Sequence, residues 1–197
     1  MKTSQYRWAI FFAILAAALY AISMPLSKIL LRNVSPMMMA AFLYLGAGVG
    51  MLLLGLLRSQ TSVGKNEERL GRKDLPYTVA MVVLDIAAPI FLMFGLKTTA
   101  AANASLLNNF EIVATAVIAL WLFHEQISRR LWIAIVLVTI ACALLTVDDA
   151  SSLSFSAGSL LVLSACVCWG LENNCTRCIS GKDAMEIVTI KGFGSGL

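Results

Sequence analysis

Runs of about 20 apolar residues recur along this chain, each long enough to cross ~30 Å of hydrocarbon as an α-helix. No other feature narrows the available folds as far. Lipid offers no partners for backbone N–H and C=O groups, so a spanning segment must be a helix or part of a closed barrel. Barrel strands need short stretches of strict alternation, which these runs lack. Six helical spans are expected: Trp8–Leu31, Pro36–Leu57, Tyr77–Leu96, Thr99–Phe123, Leu131–Val147 and Ala157–Ile179. Composition agrees, with 59% of the 197 residues hydrophobic and 13% charged, against roughly half and a quarter in soluble domains. The expected class is an all-α integral membrane protein.

The net charge of +4 could suggest a nucleic-acid partner, but its distribution argues against one. If the spans alternate, eleven of the fifteen basic residues fall on one side: Lys2, Arg7, Arg58, Lys65, Arg69, Arg72, Lys73, Arg129, Arg130, Arg177 and Lys182. The positive-inside rule puts that side, and the N-terminus, in the cytoplasm of a plasma membrane. The first apolar run is longer than a signal-peptide core and continues through Pro25, so it is read as a retained span.

An offset of 149 residues produces a faint match by residue class, with ALYAISMPLSK (18–28) falling on VCWGLENNCTR (167–177). Five spans separate the copies, and an odd number inverts the second copy in the bilayer. Inverted repeats are a recurring plan of secondary transporters. By the same offset Leu197 corresponds to Gly48, midway through the second span. A half-built helix cannot satisfy its backbone in lipid. The chain is therefore expected to be a fragment, with six spans and a partial seventh.

Residues 117–147, VIALWLFHEQISRRLWIAIVLVTIACALLTV, resemble the end of the repeat in the drug/metabolite transporter superfamily, EamA type. There an apolar helix ends in a glutamate, matched by Glu125, before a polar turn and a closely packed helix. GLKTTAAANASLLNNF (95–110) is similar to that family's junction between helices three and four. The resemblance implies ten helices in two inverted five-helix repeats that carry metabolites, amino acids or drugs. On that plan 1–147 is the first repeat and 148–197 the start of the second. It also implies that helices one, three, four and six line the central pathway. Two positions depart from the pattern. Glu111 stands where many members have proline, and Ala134 and Ala141 stand where the fifth helix usually has glycine.

LLNNFEIV (106–113) puts two amides and a carboxyl inside an apolar run. A mid-membrane carboxyl costs roughly 2.5–3.5 kcal/mol to insert, whereas an apolar residue returns only about 0.3–0.6 kcal/mol. At 100° per residue, Ala104, Asn108, Glu111 and Thr115 share one stripe, which must face a polar cavity or protein partners. Asp85 lies near the centre of the third span, and Glu172, Asn173 and Asn174 lie in the sixth. Pro25 and Pro89 withdraw hydrogen bonds from the carbonyls of Ala21 and Asp85, which makes them candidate hinges. The candidate substrate-binding set is Asp85, Asn108, Glu111, Glu172 and Asn173. Its acids suit a cationic or amine-bearing solute, or a coupling proton. The alternative is a hydrogen-bond network that only fixes helix packing.

Other motifs carry less. Cys175-Thr-Arg-Cys178 lacks the βαβ setting of a redox motif, and Cys166 and Cys175 are half a turn out of phase for one zinc site. His124 and Glu125 would need a histidine at Ser128 to make a zinc protease helix. Glu125 is expected to cap, or to pair with Arg129 or Arg130. Gly46 and Gly50 form GxxxG, read as a close helix contact that also admits a homodimer. No metal or cofactor site is expected. The leading function is a secondary carrier of small metabolites or drug-like solutes, either proton- or ion-coupled or facilitative. A membrane-embedded enzyme using its buried carboxyls, or a purely structural membrane protein, are the alternatives.

Overall fold

A computed structural model of the chain describes residues 2–59, 68–124, 126–149 and 154–197. Among them stand eight helices: α1 (Lys2–Leu30), α2 (Pro36–Ser59), α3 (Leu75–Thr98), α4 (Ala101–Leu107), α5 (Phe110–Phe123), α6 (Arg129–Thr146), α7 (Ala157–Cys178) and α8 (Ala184–Gly196). Two short strands, β1 (Val147–Asp149) and β2 (Ser154–Phe155), pair antiparallel between α6 and α7. Glu125 lies outside the described residues.

Each expected span is mostly helix, the fourth in two pieces, and local chemistry explains the boundaries. Ser35 Oγ accepts the Met38 amide at 3.2 Å ahead of α2, whose first residue is a proline that has no N–H to leave orphaned. Ser156 caps α7 and Asp183 caps α8 in the same way. The α3 C-terminus is closed by a cation. Lys28 Nζ donates to the carbonyls of Leu96, Lys97 and Thr99 at 2.5, 3.1 and 2.8 Å, satisfying acceptors that a helix end leaves free.

One expectation is corrected here. The fourth span is two helices, α4 and α5, separated by a turn at Asn108–Asn109. Among the described residues, four segments are long and apolar enough to cross a membrane by length and composition: Ile10–Leu30, Pro36–Leu56, Leu75–Thr98 and Ala101–Leu122. α7 carries Glu172, Asn173 and Asn174 in its second half, and α6 has 18 residues and opens on two arginines.

α7 is the hub, packed along α3 and α5, while α8 lies along α2. Between helices in lipid the drive is close van der Waals fit, which favours small residues at the crossings. A Cβ on Gly95 would sit 2.7 Å from the Gly158 carbonyl oxygen, and one on Gly170 would sit 2.7 Å from Ala114 Cβ. One on Gly48 would lie 3.0 Å from the Gly192 carbonyl carbon. By contrast Gly46 and Gly50, the GxxxG pair, have no described neighbour within 4 Å. The glycine that brings α2 close to a partner helix is Gly48, between them. From Ile10 onward most of the α1 surface is apolar and exposed, with Met24 and Ser27 buried and Leu31 buried just past its end.

Candidate functional site

The turn that splits the fourth span sets one wall of the site. Asn108 and Asn109 adopt φ/ψ of −62°/−19° and −64°/−16°, values of a 3₁₀ turn rather than an α-helix. The amides of Asn109, Glu111 and Ile112 each reach back three residues, at 3.1 Å. Asparagine competes with helical hydrogen bonding through its own side chain. Asn109 Nδ2 does so here, donating to Leu106 O at 2.9 Å on the exposed face. Two consecutive asparagines therefore break the helix without proline. The Leu107 carbonyl at the break faces the thiols of Cys166 and Cys142, at 3.6 and 3.9 Å.

Tightening the turn keeps Asn108 and Glu111 on the inner side. Buried Asn108 donates through Nδ2 to Tyr20 Oη at 2.6 Å, joining α1 to the turn. Asn173 Nδ2 on α7 donates to Glu111 Oε1 at 2.8 Å and to Thr115 Oγ1 at 3.2 Å, so Glu111 and Thr115 share a face. Asn174 Nδ2 is committed to backbone, bonding Gly170 O at 2.7 Å and Thr115 O at 3.1 Å.

The opposite wall is ionic. Asp85 is fully buried and Glu172 is 2% exposed, an arrangement that a low-dielectric interior tolerates only with compensation. Lys191 of α8 supplies it. Its Nζ lies 2.8 Å from Glu172 Oε1 and 3.2 Å from Asp85 Oδ2. Asp85 Oδ1 accepts the Tyr44 hydroxyl at 2.8 Å, and the Trp169 indole N–H reaches Tyr44 Oη at 3.3 Å. Thr176 donates its hydroxyl to Glu172. One chain of polar contacts thus links α2, α3, α7 and α8.

Between these walls is a cavity of about 500 Å³, bordered by Tyr20, Tyr44, Asp85, Glu111, Glu172 and Lys191 among others. A second cavity of about 410 Å³ lies beyond Glu111 and Asn173, which line both, and reaches Arg177. The Glu111–Asn173 hydrogen bond is part of the wall that the two cavities share.

Each residue chosen from the sequence can now be located. Asp85, Glu111, Glu172 and Asn173 line the main cavity, while Asn108 is buried at its margin, bonded to the lining Tyr20. Pro89 also borders the cavity, whereas Pro25 is exposed, and α1 and α3 run unbroken through them. Lys191 and the aromatic trio Tyr20, Tyr44 and Trp169 were not anticipated as site residues. The signal for Lys191 was present: a lysine inside the apolar stretch IVTIKGF calls for a carboxylate partner wherever it enters a bilayer.

Residues 7–147 match the EamA-like transporter family. The chain is also similar to an uncharacterized transporter of Methanothermobacter thermautotrophicus, 27% identical over 202 residues. That match takes in 96% of this chain and 58% of the relative, so the chain spans less than two thirds of the relative's length. No solved structure matches it.

Proposed function

The chain belongs to the EamA-like transporter family, and on that premise we propose that it is the substrate-carrying part of a secondary transporter of small metabolites or drug-like solutes. A solute occupies the cavity between the Asn108–Glu111 wall and the Asp85–Glu172–Lys191 wall. Asp85, Asn108, Glu111, Glu172 and Asn173 form its polar surroundings. The observation that carries the reading is the placement of these groups: side chains too costly to expose to lipid converge on one concave volume inside an otherwise apolar helical chain.

Passage through the protein follows from the shared cavity wall. Parting α5 from α7 at the Glu111–Asn173 hydrogen bond would join the main cavity to the one that reaches Arg177, on the basic and hence cytoplasmic side. Pro25 and Pro89 serve as hinges for that motion. Residues 1–147 form the first repeat and 148–197 begin the second, inverted one, with six spans and part of a seventh, and the protein lies in the plasma membrane with its N-terminus in the cytoplasm. The carboxylates offer sites for a coupling proton or cation.

Flux of solutes into vesicles containing the purified protein tests the reading. Glu111→Gln keeps an acceptor for Asn173 and removes the charge. Uptake is expected to fall at least about tenfold, the scale on which losing one charge-assisted contact acts. Wild-type rates in both Glu111→Gln and Asp85→Asn would refute the site.

A further inference from the structure

The proposed solute cavity already contains a positive charge. The side chains of Asp85 and Glu172 are 1% and 2% exposed, while that of Lys191 is 23% exposed. The anions are therefore embedded in the wall, and the cation is the member that reaches open volume. Building on the transport reading above, we propose that Lys191 is a tethered stand-in for the solute: an amine-bearing solute binds by placing its ammonium between Asp85 and Glu172 and expelling Lys191 Nζ from that position.

Three features support this exchange. First, the backbone that carries Lys191 is wedged in place. α8 crosses α2 so closely that a Cβ on Gly196 would lie 2.8 Å from the Leu45 amide nitrogen, and the Gly48–Gly192 approach leaves no more room. The lysine head can still leave, because it is a compact charge on a flexible four-carbon stem. Second, the vacated carboxylates cannot remain buried without compensation. A primary ammonium replaces Nζ donor for donor, with three N–H groups on one centre. Third, the rest of the cavity suits the body of such a solute. Tyr20, Tyr44 and Trp169 offer aromatic faces, and Met24, Leu92 and Met93 offer apolar contact.

Charge balance sets the sign of the preference. Glu111 faces the same cavity, and its hydrogen-bond partner there is the Asn173 amide. Three carboxyls thus line a cavity that holds one ammonium, a field that attracts cations and repels carboxylate solutes. Loading also has a mechanical consequence. Lys191 ties α8 to α3 and α7, so an arriving ammonium cuts that tie, and solute binding is coupled to release of one helix from two others.

The test uses the purified chain in lipid nanodiscs, with Trp8, Trp121 and Trp132 changed to Phe so that Trp169 alone reports. Three probes of one shape are titrated: phenethylamine, phenylacetate and 2-phenylethanol. Phenethylamine is expected to shift Trp169 emission. Its affinity should rise about tenfold in Lys191→Gln, because removing an occupant of the site removes its share of the apparent dissociation constant. In Lys191→Arg its affinity should fall, because a guanidinium grips two carboxylates more firmly than an ammonium does. Should Lys191→Gln fail to fold, Lys191→Arg decides, and equal or tighter amine binding there overturns the proposal. So does phenylacetate binding to wild type that disappears in Lys191→Gln, which would make the lysine a receptor for anions. Response to the acid or the alcohol without the amine pattern leaves the cavity reading intact and rejects the role of Lys191. Silence of Trp169 towards all three probes in every variant counts against both.

Discussion

At the scale of single residues, charge inside this chain is tolerated where a specific partner meets it. Asp85 and Glu172 meet Lys191, and Lys28 meets three carbonyls at the end of α3. Hydrogen bonds to a charged group contribute about 1.5–3 kcal/mol each when their partner would otherwise be stranded. Lys28→Met keeps the length of the stem and removes the donors, so it should cost about 2 kcal/mol, read as an earlier midpoint in denaturing-detergent titration. His124 presents the opposite case. It ends α5 with φ +52°, in the left-handed region, where a residue with a Cβ is strained by roughly 1–2 kcal/mol. His124→Gly is expected to add about 1 kcal/mol of stability, read as a later midpoint in the same titration. A drop would mean that the imidazole itself contributes to the fold.

At the scale of elements, helix contacts depend on a few glycines and one turn. Gly170 lies against Ala114 in the contact between α5 and α7. Gly170→Val must push the helices apart, at a cost of about 1–3 kcal/mol for overpacking. It should also break the Asn173–Glu111 bond one turn away, visible as faster proteolysis together with lost solute binding. The helices themselves were legible in the sequence because length and apolarity declare them, and caps such as Ser35 and Ser156 fix their starts. The inward stripe of Glu111 and Thr115 was legible from helical periodicity, since both bond the same Asn173 side chain. The break at Asn108–Asn109 was not read, because hydropathy averages over a run and takes no account of asparagines competing for its backbone. The GxxxG pair meets no close neighbour among the described residues for a related reason: spacing shows that two glycines share a face, but which face meets a neighbour is settled by the other helix. Lys191 and its two carboxylates are far apart in the chain, and no local pattern pairs them.

At the scale of the whole molecule, the segment just ahead of α3 is tied to the one between α7 and α8. Lys182, between α7 and α8, pairs with Glu68 at 2.7 Å, and the Asp183 amide donates to the Glu68 carbonyl at 2.9 Å. The ammonium holds the Glu68 carboxyl below its ordinary range, and Glu68 in turn raises Lys182. For a depressed carboxylate, the stabilisation is present above its unfolded pKa and is lost as pH falls through the folded one; for a raised lysine it is lost as pH rises through the folded value. Protection of the Asp183 amide from hydrogen exchange, corrected for intrinsic rates, should therefore decline on acidification and become insensitive to acid in Lys182→Met.

Behind these details stands one requirement, that the cavity lined by Glu111 and Lys191 holds water rather than lipid. Thiol accessibility measures it directly. With the five native cysteines replaced, Glu111→Cys is compared in intact membranes with Ile112→Cys, whose native side chain is exposed on the apolar exterior. A hydrophilic methanethiosulfonate reagent needs both water and a thiolate. It should modify position 111 readily and spare position 112. An inert thiol at 111, or equal reaction at both, would contradict a wet cavity.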